Sequence, residues 1–391
     1  MVIKSMQRRD FLKTFSAGAL LASVPSLFAS AQKLSTILYS AGSDLEGNFS
    51  ISAYAIGDVN KPLFSTALPA RAHVITVRES HNEIVVFARR PNDFMLVLDA
   101  RTGAIKQTIK NDKPLFGHGV FTPDGNILFT TENDFENKQG VIGVRDASDN
   151  YKKIAEFSSG GIGPHELHLL ADGKTLVVAN GGILTHPDTG RAKLNLDSMT
   201  PALSYIDTQS SHLIGDFRLD KKYHKLSIRH LDITQDDQVC FVMQYQGSRR
   251  HQVPLVGFHK GESQLQLAEI PKAVLPKMKN YCGSVSADIS GEIFAVSSPR
   301  GNLITLWNRK GEFINSFDLA DGCGVAIGNQ PNEFFFSNGG GELHQYQTDG
   351  ICTKQPKTGG VYFDSAQQSC FKDTLLASNT NYRWDNHLTA W

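Results

Sequence analysis

A strand-rich unit recurs along this 391-residue chain and limits the folds that are open to it. Each unit contains a run of apolar and β-branched residues that has the length of a buried strand and is bounded by turn residues. Turn signals such as Asp124-Gly125 and Asp172-Gly173 precede most of the runs. The runs are TILYSAG, EIVVFARR, NILFTTEND, KTLVVANGG, QVCFVMQYQG, EIFAVSSPRG, EFFFSNGG and DTLLASN. A strand-rich period of about 40–50 residues is typical of a β-propeller, in which four-stranded sheets surround a central channel.

Seven short segments upstream of these runs have the character of innermost strands. They begin at His73, His118, His165, His230, Ser284, Gly324 and Gly360. Seven innermost strands predict an all-β, seven-bladed β-propeller that forms a single domain over residues 32–391. We expect the last blade to join an inner strand near residues 360–366 to outer strands from the N-terminal runs. The C-terminal segments DTLLASN and HLTAW compete for the same places, so eight blades are the alternative.

The first 31 residues are predicted to be an export signal. A basic segment is followed by an apolar run and by Ala29-Ser30-Ala31, which is a small-x-small cleavage site. The apolar run is shorter than the ~20 residues that span a bilayer, so we expect no membrane span in the mature chain. The run RRDFLK resembles the twin-arginine export signal, which carries folded proteins to the bacterial periplasm. We therefore predict a periplasmic protein exported by the twin-arginine pathway.

The charge of the chain argues against a nucleic-acid partner. Without residues 1–31, which hold four Lys/Arg and one Asp, 35 basic and 38 acidic residues remain. Phosphate binding requires a clustered basic excess, which this balance does not provide. The five cysteines are too few and too scattered for a disulfide scaffold, and we expect most of them to be buried as small apolar residues.

Four histidines return to one position of the repeat, at the entrance of the predicted inner strands. Inner strands line the channel of a propeller, so His73, His118, His165 and His230 should face its axis from four consecutive blades. Imidazole suits transition metals, and this rim predicts a site for a metal ion such as iron or copper, with Glu166 as a further ligand. A wide channel favours two or three histidines plus water, or a bound chelate, over a four-histidine cage. The alternative is that these histidines fasten the blades together by hydrogen bonds.

Other polar residues occur near the same rim and form a candidate site for an anionic ligand. Arginines precede two of the histidines or end second strands, and a long insertion in the third full unit carries another histidine. Guanidinium groups bind carboxylates and phosphates well, although arginines that bridge blades explain the pattern equally well. The candidate ligand-binding residues are Arg71, Arg90, His186, Arg229 and Arg300.

Several longer segments resemble one bacterial family of periplasmic propellers, domain-of-unknown-function family 1513. The matching segments are FARRP, FGHGVFTPDG, TEND, GVIGVRDA, GIGPHEL, VVANGGILTHPDTGR, LNLDSMTPAL, SIRHLDI, SPRG and CGVA, between about residues 70 and 327. The resemblance implies a twin-arginine-exported propeller. It also implies genes beside those of imelysin-like and haem-containing iron-uptake proteins, which are the expected partners. It implies no established reaction.

Three kinds of function remain open from the sequence. The chain is predicted to bind a metal ion or metal complex at a histidine-lined channel mouth, as an accessory protein of iron or other metal uptake. The alternatives are an interaction scaffold without metal and a hydrolase similar to the propeller lactonases, which use calcium held by Glu, Asn and Asp. The sequence contains no GxSxG elbow, CxxCH haem attachment, P-loop or dinucleotide fingerprint.

Overall fold

Four-stranded antiparallel sheets repeat seven times in the computed structural model of the chain, which describes residues 36–58, 61–89, 92–190, 192–348, 371–379 and 381–391. The signal predicted at residues 1–31 lies outside the described residues. Within the described residues, no helix has the length and apolar character needed to cross a membrane. Six short 3-10 helices connect strands, at Glu79–His81, Pro187–Thr189, Leu196–Ser198, Lys221–Tyr223, Leu275–Met278 and Pro299–Gly301.

The first four sheets, numbered as blades, are built as follows. Blade 1 contains β1 (Ile37–Asp44), β2 (Phe49–Ala55), β3 (Phe64–Ala67) and the C-terminal strand β28 (Tyr382–Ala390). Blade 2 contains β4 (Ala72–Arg78), β5 (Glu83–Ala88), β6 (Phe94–Asp99) and β7 (Ile105–Lys110). Blade 3 contains β8 (Leu115–Phe121), β9 (Ile127–Asp134), β10 (Gln139–Asp146) and β11 (Lys152–Ser158). Blade 4 contains β12 (Pro164–Leu169), β13 (Thr175–Asn180), β14 (Ala202–Asp207) and β15 (Leu213–Arg218).

The remaining three blades keep the same order of strands from the axis outward. Blade 5 contains β16 (Leu226–Ile233), β17 (Val239–Tyr245), β18 (Val256–His259) and β19 (Gln266–Leu267). Blade 6 contains β20 (Ser284–Ala287), β21 (Ile293–Ser298), β22 (Leu303–Asn308) and β23 (Phe313–Asp318). Blade 7 contains β24 (Gly322–Ile327), β25 (Glu333–Asn338), β26 (Glu342–Thr348) and β27 (Phe371–Ser378).

The inner strands β4, β8, β12, β16, β20, β24 and β28 contact one another in this order and form a closed ring. This arrangement confirms the predicted all-β, seven-bladed β-propeller. Side-chain hydroxyls link successive inner strands, since Thr76 Oγ1 donates to the carbonyl of Gly119 at 2.7 Å and Thr389 Oγ1 donates to that of Ile75 at 2.9 Å.

Ring closure differs in one detail from the sequence-based expectation. The inner strand of the blade that joins the two ends is β28, not a segment near residues 360–366, which lies outside the described residues. β28 pairs with β1, and the backbone groups of Ile37 and Trp391 bond to each other at 2.7 and 2.9 Å. The DTLLASN run instead forms most of β27, the outer strand of blade 7. Pairing of β1 with β28 protects edges that would otherwise be open to association.

Apolar side chains from neighbouring sheets fill the space between the blades, as the alternation of the strands requires. The largest fully buried side chains include Trp307, Phe241, Phe258 and Phe294. Cys240, Cys282 and Cys323 are buried free thiols, which confirms the expected role for these three cysteines. Cys352 and Cys370 lie outside the described residues.

One buried ionic cluster lies within blade 3. The carboxylate of Glu132 on β9 is fully buried and contacts Arg145 Nη2 at 3.2 Å and Lys153 Nζ at 2.9 Å. Thr130 Oγ1 donates a further hydrogen bond to Glu132 at 2.8 Å. Asn111 Oδ1 accepts from the guanidinium of Arg145. Both carboxylate oxygens are therefore partnered, as a buried charge requires.

Candidate metal centre

Irregular pairing at the entrance of the inner strands places histidine side chains at the axis. A β-bulge bends a strand and re-aims the side chain at that point, and bulges are common beside functional sites. In five inner strands the pairing register shifts at or beside a histidine. These histidines are His73 on β4, His118 on β8, His165 on β12, His230 on β16 and His387 on β28. They come from five consecutive blades of the ring.

The five imidazole rings form one compact cluster, called here the histidine cluster. Each histidine is 9% exposed or less. The ring centroids of His165 and His230 lie 4.5 Å apart, and those of His73 and His387 lie 4.7 Å apart. The ring of His118 lies within 4.9–5.6 Å of all four others. At this level the channel is narrow enough for neighbouring imidazoles to share a ligand.

Backbone contacts fix the position of this cluster. Gly117 has φ of +99°, and a Cβ at this residue would come within 2.6 Å of the His73 ring, so only glycine permits this approach. The backbone N–H of His118 donates to Thr131 Oγ1 at 3.3 Å, and this hydroxyl donates to the His118 carbonyl at 3.2 Å. Ser40 Oγ donates to the carbonyl of His387 at 2.9 Å. These contacts hold the cluster through its backbone and do not use the imidazole nitrogens.

Glu166 lies beside the cluster and contacts three histidines. Its carboxylate oxygens lie 3.3 Å from Nδ1 of His118, 3.0 Å from Nδ1 of His230 and 3.6 Å from Nε2 of His168. The backbone N–H of Leu231 donates to the same carboxylate at 3.1 Å. A carboxylate that holds Nδ1 of a histidine directs Nε2 of that ring toward a bound metal. This geometry suits Glu166 to orient ligands, whereas the sequence suggested it as a ligand itself.

Four buried imidazole nitrogens have no hydrogen-bond partner within the described residues. They are His73 Nδ1, His118 Nε2, His165 Nδ1 and His387 Nε2. Buried polar atoms are nearly always paired, and an unpaired one is destabilising by about 1–3 kcal/mol. Four such atoms in one cluster indicate a binding site, and a metal ion coordinated by imidazole nitrogens fits it.

Burial favours the neutral form of four imidazoles in the cluster, those of His73, His165, His230 and His387. Burial lowers the pKa of His73, His165 and His387 well below the usual value of 6.5, and repulsion from neighbouring histidines lowers it further. Burial also lowers the pKa of His230, although Glu166 opposes this shift. A neutral imidazole is the form that binds a metal ion, so no proton has to be displaced at neutral pH.

The carboxylate of Glu166, beside the histidine cluster, remains charged. Burial alone would raise the pKa of Glu166, but the neighbouring His118, His168 and His230 lower it well below the usual range. Burial alone would lower the pKa of His168, but contact with Glu166 raises it. The negative charge of Glu166 therefore lies beside the imidazole nitrogens of the cluster.

Two groups of three histidines have the spacing of metal ligands. One consists of His73, His118 and His387, and the other of His118, His165 and His230. In each group the candidate ligand atoms lie within 4.8 Å of one another. Nitrogens around a tetrahedral ion with bonds of ~2.0–2.1 Å lie ~3.3 Å apart, so small ring rotations bring either triad onto an ion. His118 belongs to both triads.

A cavity of about 570 Å³ opens onto the histidine cluster. His73, His165 and His230 form part of its wall, together with Arg229 and Arg300 from the predicted anion site. His186, in the long insertion after β13, also lines the cavity. Its Nδ1 accepts from the N–H of Asp188 at 3.2 Å, and its ring packs on Phe135 with centroids 4.9 Å apart.

Arg71, another predicted ligand-binding residue, is not among the described residues that line this cavity. Arg71 forms a bidentate ion pair with Asp385, in which Nε and Nη2 donate to the two carboxylate oxygens at 2.5 and 2.7 Å. Nη1 of Arg89 contacts the same carboxylate at 3.3 Å. Arg71 thus joins β28 to blade 2, which is the blade-bridging role considered as the alternative. Arg90 lies outside the described residues.

His387, His168 and Lys193 also belong to this region, and the sequence patterns did not identify them. His387 occurs in NHLTAW, a histidine followed by an alternating strand like RHLDI, but no turn signal follows it in the sequence. His168 lies two residues after Glu166 on the same face of β12, as the alternation of a strand requires. Lys193 lines the cavity from the insertion, and no sequence pattern marks it.

Comparisons with solved structures show the fold. The chain is similar to a Kuenenia stuttgartiensis hydrazine synthase structure, with a TM-score of 0.57, 14% identity and coverage of 76% of this chain and 91% of that chain. It is also similar to the β-propeller domain of Myceliophteria thermophila Cps50 (Swd1), with a TM-score of 0.53, 10% identity and coverage of 77% and 92%. At such identities only the propeller architecture is shared.

Sequence comparison identifies a family without a named activity. No curated protein matches the chain. The family model described as Protein of unknown function (DUF1513) matches residues 66–391, from the end of β3 to the end of β28, and so includes all five histidines of the cluster. The chain belongs to the DUF1513 family of β-propellers.

Proposed function

We propose that this protein binds a transition-metal ion, iron or copper, at the histidine cluster and serves metal uptake in the bacterial periplasm. The observation that carries the proposal is the set of four buried imidazole nitrogens without hydrogen-bond partners. A bound ion would satisfy several of these nitrogens at once, which hydrogen bonds do not do in the described residues.

The donor set favours a transition metal. Imidazole nitrogen is a ligand for iron, copper, zinc and nickel, whereas calcium takes six to eight oxygen ligands. The histidine cluster offers five imidazoles and one carboxylate, Glu166, which already contacts three histidines. This composition argues against the calcium chemistry of propeller lactonases and gives no support to the hydrolase alternative.

The location and the biological setting rest on different observations. Export by the twin-arginine pathway rests on the RRDFLK leader, and a role beside iron-uptake proteins rests on the family resemblance. A protein that reaches the periplasm folded can carry a metal site that is complete before export. An interaction scaffold without metal remains the alternative outcome of the test below.

Metal titration of the apo-protein tests the proposal. Untagged protein is stripped with chelator and titrated with iron(II), copper(II) and zinc(II) by calorimetry, with oxygen excluded for iron. We expect tight binding of at least one of these ions. His118→Ala should lower the affinity by about 100-fold or more, because His118 belongs to both triads and its loss leaves only two histidines in each. A His118→Ala, His165→Ala double variant should bind more weakly still.

The matched control is His212→Ala, which removes an exposed histidine that belongs to neither triad. Thermal unfolding of every variant shows whether the ring is intact. Equal metal binding by the wild type and a folded double variant would exclude the site and leave these histidines as structural residues.

A further inference from the structure

Basic side chains dominate the wall of the cavity that opens onto the histidine cluster. No Asp or Glu occurs among the described residues that line it. Its positively charged residues are Arg89, Lys193, Arg229, Arg249, Lys279 and Arg300. Low-dielectric walls that carry one sign of charge focus the field and attract ligands of the opposite sign.

Three of these basic residues have no acidic partner among the described residues. No carboxylate of the described residues lies within ion-pair distance of Lys193, Arg229 or Arg300. The Nε of Arg229 is buried and has no hydrogen-bond partner there. Arg300 stacks on the ring of Tyr281 at 4.1 Å, and Lys193 donates to the Oε1 of Gln246 at 2.5 Å. These contacts orient the cations but leave their charge uncompensated.

The like charges repel one another. Burial lowers the pKa of Lys193, and the nearby Arg229 and Arg300 lower it further. Arginine occurs where carboxylates and phosphates are bound, since its planar fork matches two oxygens of such groups. A cluster of this kind is stabilised by an anion.

A metal ion at the histidine cluster would increase the positive charge. Imidazole ligands bring no negative charge to such an ion, and Glu166 is a carboxylate that contacts the cluster, at His118 and His230. Two other carboxylates in this region already have partners. Asp385 contacts Arg71 and Arg89, and Asp232 accepts hydrogen bonds from two backbone N–H groups. A divalent or trivalent ion bound next to Arg229 therefore requires an anionic ligand to balance its charge.

We propose that the cavity binds a small multivalent oxyanion, with two or more carboxylate or phosphate groups, through Arg229, Arg300 and Lys193. The inference rests in part on the proposed function, because the same anion would complete the coordination of the ion held by the histidines. The metal would thus be bound as an anionic chelate. A volume of about 570 Å³ lies within the range of cavities that hold small ligands.

Calorimetry with defined anions tests the proposal on the apo-protein. Citrate and inorganic pyrophosphate should bind, whereas acetate, with one charge, should bind about 100-fold more weakly or not at all. The tighter of the two multivalent probes identifies the carboxylate or phosphate class. Binding should weaken as salt is added, because the attraction is between charges.

Two double variants separate the cavity from general surface charge. Arg229→Gln, Arg300→Gln should weaken binding of the better probe by about 30-fold or more, since two charge-assisted contacts are lost. Arg101→Gln, Arg218→Gln removes the same number of charges from exposed positions outside the cavity wall and should bind like the wild type. Equal affinity of the wild type and the first double variant would overturn the proposal, as would citrate and pyrophosphate binding no tighter than acetate.

A second measurement distinguishes this proposal from the metal site. His118→Ala should lose metal binding but keep anion binding in the apo-protein. With copper(II) bound to the wild type, addition of the better anion should change the electron paramagnetic resonance spectrum, and Arg229→Gln, Arg300→Gln should abolish that change. Copper binding with no spectral response overturns the shared coordination, whereas anion binding without any metal binding overturns the proposed function and supports the anion site alone.

Discussion

Blade 3 and the channel axis both contain buried polar side chains, but the two regions are organised in opposite ways. In blade 3, the carboxylate of Glu132 is surrounded by Arg145, Lys153 and Thr130, and both of its oxygens have partners. At the axis, four imidazole nitrogens are equally inaccessible to water and have none within the described residues. The first arrangement is complete in the apo-protein, and the second is not.

This difference distinguishes a polar cluster that stabilises the fold from one that can bind a ligand. Burial alone would lower the pKa of Lys153, but hydrogen bonds with Glu156 and Glu132 raise it, which shows that the protein compensates the charge. Burial lowers the pKa of His73 and His165, and no neighbouring carboxylate compensates this shift. Protein stability should therefore depend on the partners of Glu132, whereas ligand binding should depend on the histidines.

The largest expected effect is the loss of the charge at Glu132. Glu132→Ala leaves the buried Arg145 without its acidic partner and should lower the free energy of unfolding by about 3–5 kcal/mol. Denaturant unfolding at neutral pH measures this change. The matched control is Glu156→Ala, a partly exposed partner of Lys113 and Lys153, which should have an effect of less than ~1 kcal/mol. If the two variants are equally stable, the contrast between the regions fails.

Acid should destabilise the apo-protein through the histidines. Their pKa is lowered in the folded state, so the unfolded chain binds more protons below pH ~6.5, and stability present above that pH is lost as the pH falls toward the folded-state values. His73, His165, His230 and His387 act in this direction, whereas the raised pKa of His168 acts against it.

The net result should be a loss of about 3 kcal/mol between pH 7.5 and 5.5, at up to 1.4 kcal/mol per unit for each group. Unfolding by urea across this range measures the slope. A His73→Leu, His165→Leu variant should reduce the slope by about half. A flat profile in the wild type would show that these imidazoles are protonated without penalty.

The smallest expected effect concerns a single imidazole. In the part of the chain that the structure describes, the His165 side chain forms no hydrogen bond and its Nδ1 is buried without a partner. His165→Leu should therefore change the free energy of unfolding by less than ~1 kcal/mol at pH 7.5, because an unpaired polar group is replaced by an apolar one of similar size. Metal affinity should nevertheless fall by about 10-fold or more. A stability loss above ~2 kcal/mol would indicate a blade-fastening role for His165.

The sequence was sufficient to predict the repeat and the register of four histidines. Alternating strands and Asp-Gly turns are local signals, and they place His118, His165 and His230 at the same point of successive units. The inner strand at the C-terminus was predicted in the wrong place because HLTAW lacks the turn that marks the others. His387 was missed for the same reason.

The geometry of the site depends on contacts that no local pattern contains. The separations of 4.5–5.6 Å between rings arise from bulges, and a bulge changes the direction of a side chain without an obvious sequence signal. Arg71 and Asp385 are 314 positions apart in the chain, so their ion pair appears only once the ring is closed. The unpaired state of the imidazole nitrogens is likewise a property of the whole ring.

The pairing of β28 with β1 also has a consequence for folding kinetics. Ser40 and His387 are 347 positions apart, and pairings of this separation form late because the intervening chain must first become ordered. An ion held by His73, His118 and His387 would join β28 directly to β4 and β8, which lie on the other side of the seam. Such an ion would slow the reopening of the ring. The concentration of available metal would then determine how long the ring stays closed, and not only what fraction of the protein holds a metal ion.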